Sequence, residues 1–479
     1  MDRAHRSRPE LGRRGRSAVT AVAVLVAIEV LGVLALTNRV HHFRPVLTLL
    51  GPLFGCSLVL LAMLWRLRTR LSRRALTALL IGGCAVLQLA ALAGNPVSSD
   101  DDYRYAWDGK VQLSGIDPYR YAPADQALSR LREDFLFPAA DPCRHNVVPG
   151  GCSVINRPLV RTIYPPVAEA SFALVRVLSF GGHGHHLPLQ LAAGLGVLAT
   201  TLLLIRSANR RGSPLWPVAA WALSPLVAIE ATNNAHIDWL AALLAVLAMW
   251  SLREGRPLPA GLAIGAAFAT KLYPGVLMVA VGRRPRRLVT AAAAATGVVA
   301  LSYLPHVLAV GPKVLGYLPT YLSTESYASG QRYFIATWLV GGSAATKVAL
   351  LAGVVGLTWL WWRADPRRPE ETAVNATGLL LLVATPHYGW YALTLIALIA
   401  MSGRIEWLWT AFAPGLQYMS AEFPHWNPEV VKYYSYGIAL VWLAVFSTGR
   451  RLATRRARPS REPVPASGDQ PSPHSATAS

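Results

Sequence analysis

Acidic residues are scarce in this chain, with 25 Asp and Glu against 46 Lys and Arg in 479 residues. Charged residues of both signs make up only 15% of it, where a soluble protein of this length would carry about 25%. That shortage argues against a water-soluble fold. There are only four cysteines. Cys56 and Cys84 fall inside apolar runs and read as small buried side chains, while Cys143 and Cys152 lie in a polar loop. Repeated alternating apolar and polar segments of about ten residues are missing, which excludes a transmembrane β-barrel. No small-residue cleavage site follows Leu36, so the first apolar run is expected to be a retained anchor rather than a cleaved signal peptide. No internal repeat is visible.

What is abundant is apolar sequence, 53% of the residues, in long runs broken by short Arg-rich or Pro/Gly-rich stretches. A bilayer-crossing helix needs about 20 such residues. Backbone groups in lipid must be paired internally, so these runs are expected to be helices. The formal net charge of +21 does not indicate nucleic-acid binding, because the basic residues sit in short clusters beside apolar runs. Arg13/Arg14/Arg16, Arg66 to Arg74, Arg206/Arg210/Arg211, Arg283 to Arg287 and Arg450 to Arg456 follow the positive-inside pattern. Such clusters also attract anionic lipid headgroups.

Placing every basic cluster on one side gives an all-α integral membrane protein with about 14 crossings. Residues 1–17 form a basic cytoplasmic arm, 18–74 an N-terminal transmembrane hairpin, 75–448 the main membrane domain, and 449–479 a disordered Pro/Ser-rich cytoplasmic tail. The first three crossings are Ala18–Leu36, Val46–Trp65 and Ala75–Gly94. The longest polar stretch, 95–165, then lies outside. Val167–Phe180 is short and carries Glu169 and Arg176, so it is expected to be interfacial or re-entrant. Leu258–Val281 has basic flanks on both sides and is interrupted by Lys271 and Pro274, which predicts two half-helices that dip outward and return. Leu288–Leu304 is expected to cross outward into a Tyr-rich loop, 305–333.

The outer loop opens Asn95-Pro96-Val97-Ser98-Ser99-Asp100-Asp101-Asp102-Tyr103-Arg104-Tyr105-Ala106-Trp107-Asp108-Gly109. Ser98 or Ser99 can cap a helix whose acidic first turn suits the helix dipole. On that helix Asp101, Arg104 or Tyr105, and Asp108 share a face, which would line one wall with two carboxylates and a cation. A well-capped surface helix is the plainer alternative. Further on, Thr162-Ile163-Tyr164-Pro165-Pro166 predicts an extended entry into the next helix.

The run Ser99 to Gly109, followed by Gly115-Ile116-Asp117-Pro118-Tyr119 and by Thr162 to Pro166, resembles actinobacterial polyprenyl-phosphate-mannose-dependent α-mannosyltransferases of the GT-C superfamily. The strongest resemblance covers Asn95 to about Phe172. Weaker matches are Asn233-Asn234-Ala235-His236-Ile237-Asp238, Lys271-Leu272-Tyr273-Pro274 and Thr385-Pro386-His387-Tyr388-Gly389-Trp390-Tyr391. The resemblance implies a GT-C-like bundle in the plasma membrane with both termini cytoplasmic. It implies a general base that is an aspartate of the first long outer loop. Asp100 and Asp101 are the candidates. Asp101 is preferred because it shares a helical face with Tyr105 and Asp108.

The implied partners are a polyprenyl-phosphate-mannose donor, a glycolipid or glycan acceptor and the lipid bilayer, with no nucleic acid. No cofactor is called for, and a divalent cation is left open. Topology alone fits this chemistry, since an enzyme acting outside needs a donor that can be flipped across the bilayer. The departing phosphate needs positive charge or hydrogen-bond donors. Lys271, Arg332 and His387 are candidates for that role. Lys271 falls mid-membrane by sequence, where a cation marks function unless it snorkels to the interface. Tyr388 and Trp390 offer faces for a sugar, or else belong to an aromatic belt. Arg104, Tyr105, Asp108, Tyr164, His236 and Asp238 complete the substrate-binding candidates. His183, His185 and His186 could hold a metal only opportunistically. Cys143 and Cys152 are expected to form a disulfide in an oxidising compartment. The competing reading is a transporter or flippase for an envelope glycolipid, in which broken helices and intramembrane charges also occur.

Overall fold

The structure, a computed structural model, describes residues 13–38, 43–139, 146–179, 185–420, 425 and 427–456. It is almost entirely helical. The chain begins with a helical hairpin, α1 (Arg13–Thr37) and α2 (Phe43–Leu67). Inside it, the Ser57 hydroxyl donates to the buried Glu29 carboxylate at 2.8 Å. Helix α3 (Arg73–Ala91) is capped by the Ser72 side chain, which accepts from the Ala75 N–H. Next come α4 (Asp101–Leu113), a two-stranded antiparallel hairpin of β1 (Asn146–Val148) and β2 (Gly151–Ser153), and α5 (Pro166–Leu178). Pro165 is extended and Pro166 opens α5, the entry that the paired prolines predict.

Helix α6 (His186–Arg211) is long and stops at Gly212, which takes the left-handed conformation a C-terminal cap requires. The following apolar run is broken. It holds two short helices, α7 (Ala219–Ala222) and α8 (Pro225–Val227), and then a π-helical turn, Ala228–Asn233. Helix α9 (Asp238–Arg253) follows. The pair of half-helices predicted across Lys271 is present as α10 (Pro257–Phe268) and a 3-10 return, Tyr273–Val281. Gly261 and Gly265 lie against the Ala291 and Ala295 backbones of α11 (Pro285–Val310), so α10 and α11 run parallel in close contact. A Cβ at Gly261 would stand 2.2 Å from the Ala291 carbonyl oxygen. Helix α11 does not end at Leu304; it passes Pro305 and stops at Gly311, whose φ is +61°. A helix tolerates the donor that proline lacks where neighbouring groups take up the freed carbonyl.

The rest of the bundle comprises α12 (Leu318–Thr324), α13 (Phe334–Leu339), α14 (Ser343–Trp362), α15 (Pro369–Ala384), α16 (Leu393–Ser402), α17 (Leu408–Ser420) and α18 (Pro428–Arg456). Among the described residues, seven helices are long and apolar enough to cross a membrane: 17–37, 49–67, 73–91, 186–211, 285–324, 343–362 and 429–449. The chain is therefore a multi-pass α-helical membrane protein. The count of about 14 crossings rests on including short and broken segments of fewer than about 18 residues. Those segments are the best buried. Nearly every residue of 216–238 and of α16 is inside, whereas α11 and α14 are largely uncovered. Short helices shielded by protein and long helices facing lipid are what the bilayer demands of such a chain.

Candidate active site

A cavity of about 480 Å³ lies where α4, the 156–165 segment, the break after α10 and the 388–391 turn converge. Asp101 stands on its wall because of a chain of local constraints. Asn233 and Asn234, at the end of the π-helical turn, hold the irregular segment leading into α4. The Asn234 side-chain oxygen accepts from the Val97 and Ser98 amides at 3.1 and 3.2 Å, and its nitrogen donates to the Ser98 hydroxyl at 2.6 Å. Asn233 donates to the carbonyls of Ala91, Gly94 and Asn95. The Ser99 hydroxyl accepts from the Asp101 amide at 3.2 Å. Asp101 thus opens α4 with its carboxylate at the positive end of the helix. That carboxylate is gripped from two sides, by the Asn156 amide on one oxygen and the Tyr164 hydroxyl, at 3.0 Å, on the other.

Lys271 occupies the break between α10 and its return, on the same cavity. Its ammonium is 3.0 Å from Asp238 and 5.4 Å from the ring centres of Tyr164 and Tyr391. Asp238 is fully buried and also accepts from the Tyr273 hydroxyl at 3.3 Å. Arg157 reaches the cavity from a left-handed backbone, φ 49°, a conformation that costs a non-glycine residue free energy and clusters at functional sites. Tyr388 and Trp390 stack on each other with ring centres 4.6 Å apart and present aromatic surface to the same space.

Of the remaining sequence candidates, Asp100 and Arg104 line the cavity, but Tyr105 and Asp108 lie behind it. Arg104 is bonded to Asp108 and Val160. Its Nε lies 2.9 and 3.0 Å from the two Asp108 oxygens, and its other nitrogens donate to the Val160 carbonyl. Tyr105 stacks on Phe172 with ring centres 4.3 Å apart. His236 is buried on Glu230, with its ring 3.9 Å from Trp390, so it supports the aromatic wall from behind. Asp102 is buried and paired with His186, which ties the start of α4 to the start of α6. Burial pushes the Asp102 carboxyl up from the usual carboxylate range, and the imidazole beside it pulls the other way. His183 lies outside the described residues. Cys152 takes part in a disulfide and Cys56 and Cys84 are free; Cys143 lies outside the described residues.

Arg332 and His387 are brought together, but beside a second cavity of about 460 Å³. Arg332 donates to His387 Nδ1 and to Glu325. Arginine only donates, so Nδ1 carries the lone pair and the proton sits on Nε2, 3.4 Å from Glu325. Burial and the neighbouring Arg332 and Arg157 guanidiniums lower His387 to about 3. Glu325 also accepts from the Tyr388 hydroxyl at 3.0 Å and from Arg157 at 3.4 Å. Glu325, Arg157 and Asn156 join the site without having been among the candidates read from the sequence. The available signal for Glu325 was its being the single acidic residue in the Tyr-rich stretch 305–333.

Residues 162–386 match the model of Glycosyltransferase family 87. The match supports a glycosyltransferase, and with the helical spans it implies a sugar donor, an acceptor and a lipid bilayer as partners. The matched span takes in Tyr164, Asp238, Lys271, Glu325 and Arg332; His387 falls just beyond its end, and Asp100 and Asp101 lie well before its start. Comparison with curated proteins and with solved structures gave no match.

Proposed function

We propose that this protein transfers mannose from a polyprenyl-phosphate donor to a glycolipid or glycan acceptor at the extracytoplasmic face of the plasma membrane. Both termini lie in the cytoplasm in this reading, as the basic clusters require. The observation that carries the proposal is the pairing of opposite chemistries across one cavity. Asp101, held by Asn156 and Tyr164, shares it with Lys271 and Arg157.

Asp101 takes the acceptor hydroxyl proton as that oxygen attacks the anomeric carbon. The bond between the anomeric carbon and the phosphate oxygen breaks, and the phosphate leaves with the electron pair. Lys271 and Arg157 offset the charge that develops on it. Attack from the face opposite the phosphate inverts the centre, so a β-linked donor gives an α-mannoside. The Lys271–Asp238 ion pair fits this role, because a cation already paired and ring-packed is held in place before the donor arrives. Tyr388 and Trp390 supply a face on which a sugar ring can stack.

Incubating the purified protein with radiolabelled polyprenyl-phosphate-mannose and a mannoside acceptor tests the reading. Label should move to the acceptor. No transfer, together with movement of labelled lipid between leaflets of a proteoliposome, would replace the transferase by a flippase.

A further inference from the structure

The two cavities differ in chemistry although they adjoin. Tyr388 and Tyr418 line both. These shared side chains are held by hydrogen bonds: the Tyr418 hydroxyl donates to the Ser98 carbonyl at 2.6 Å, and that of Tyr388 to Glu325. The first cavity has four cationic residues on its walls, Arg104, Arg157, Arg161 and Lys271, against Asp100 and Asp101, and the carboxylates that pair with Arg104, Lys271 and Arg157 stand off that lining. Such an excess suits a phosphate. The second is balanced. Its two cations, Arg332 and Lys432, are each bonded to a carboxylate of the same cavity, Arg332 to Glu325 and Lys432 to Glu429 at 3.3 Å. Both carboxylates share that lining with the cations they pair with, so an entering anion would meet a negative charge beside each positive one.

The rest of that wall is made of hydroxyl and amide groups, Thr324, Ser326 and Gln331, beside Tyr388. Side chains that both donate and accept, next to an aromatic ring, recognise an uncharged polyol. The volume, about 460 Å³, falls in the range of small-molecule sites. His387 on this wall is neutral at physiological pH, which keeps the balance of charge intact.

We propose that the second cavity is an acceptor subsite that holds the sugar next to the one being extended. The natural acceptor would then be a glycan of at least two residues. Its terminal hydroxyl reaches Asp101 in the first cavity while its inner residue sits on Tyr388 beside Gln331 and Thr324. This inference rests on the transferase reading, and the test separates the two.

The probes are polyprenyl-phosphate-mannose as donor, with methyl α-mannoside and methyl α-mannobioside as acceptors, on the purified full-length protein. Wild type should use the mannobioside with kcat/KM higher by about tenfold, the scale of one or two extra hydrogen bonds. Gln331 and Thr324 are exposed, so Gln331→Trp and Thr324→Trp obstruct the cavity without disturbing the core. Both variants should lose most of the preference for the longer acceptor while the donor KM stays the same. Equal use of the two acceptors by wild type would overturn the subsite. So would variants that slow both acceptors by the same factor, or that raise the donor KM instead. Transfer to neither acceptor by wild type would overturn the transferase reading and the subsite with it.

Discussion

Asp101 and Asp102 are neighbours in one helical turn, and their partners give them different work. Asp101 is half-buried on the cavity, bonded to Asn156 and Tyr164. Asp102 points the other way, is buried, and holds His186. Asp102→Asn should therefore cost stability rather than chemistry, by about 1–3 kcal/mol for a buried group whose partner is removed. Thermal unfolding in detergent would show the loss, with activity per folded molecule close to wild type. A large fall in specific activity with unchanged unfolding would contradict this assignment.

His387 gives a pH prediction. Its folded value is about 3, lowered by burial and by Arg332 and Arg157, while an unfolded histidine titrates near 6.5. The group is neutral in both states above about pH 6.5, so its contribution to stability is intact there. As pH falls below that, the unfolded chain takes up a proton that the folded protein refuses, and stability is lost down to about pH 3. The difference in unfolding temperature between wild type and His387→Gln should shrink as pH drops from 7 to about 4.5. A difference constant with pH would show that His387 protonates freely in the folded protein.

Sequence spacing made the α4 face with Asp101, Arg104 and Asp108 legible, but not that Arg104 pairs with Asp108 on it. It also put Asp101 at the helix start. It could not show that Asp101 is held by Asn156 and Tyr164, or that Glu325 gathers Arg157, Arg332, His387 and Tyr388. Those contacts join residues far apart in the chain, and no local pattern encodes them. Tyr105 and Asp108 shared the right face but sit deeper than Asp101, because the close approach of Gly109 to the Phe172 backbone draws α4 down onto α5.

Among the elements, the broken stretch between α6 and α9 matters most to the site. A continuous helix there would leave Asn233 and Asn234 bonded within their own turns. The π-helical turn instead directs both side chains to the 94–98 backbone and so sets where α4 begins. Asn234→Ala should lower kcat by about tenfold, with a smaller effect on donor KM, because small displacements of a reacting group are costly. Steady-state kinetics on the purified variant would check it, and an unchanged kcat would remove this element from the account. The break at Lys271 was legible because a cation and a proline interrupt an apolar run with basic flanks. The π-helical turn was not, since Glu230, Thr232 and Asn233 mark polar positions in Ala228–Asn233 but carry no local pattern that distinguishes a π-turn from an α-turn.

For the whole molecule, the account depends on orientation. The proposed orientation puts residues 1–17 and 449–479 in the cytoplasm and 95–165 outside, following the basic clusters. An impermeant thiol reagent applied to intact cells should label a cysteine at Ser129 and spare one at Ser467. Labelling of both would contradict that topology and the proposed site of reaction.

The central claim is that Asp101 takes the proton in a transfer reaction at the outer cavity. Its most direct test is mannose transfer by purified wild type, Asp100→Asn and Asp101→Asn at matched protein levels, with donor binding measured separately. Asparagine keeps the size and polarity of the carboxylate but cannot accept the proton. Asp101→Asn should reduce transfer by about 10² or more, the range for loss of a general base, while donor binding stays near wild type. Asp100→Asn should retain most activity. Full activity in Asp101→Asn would contradict the account.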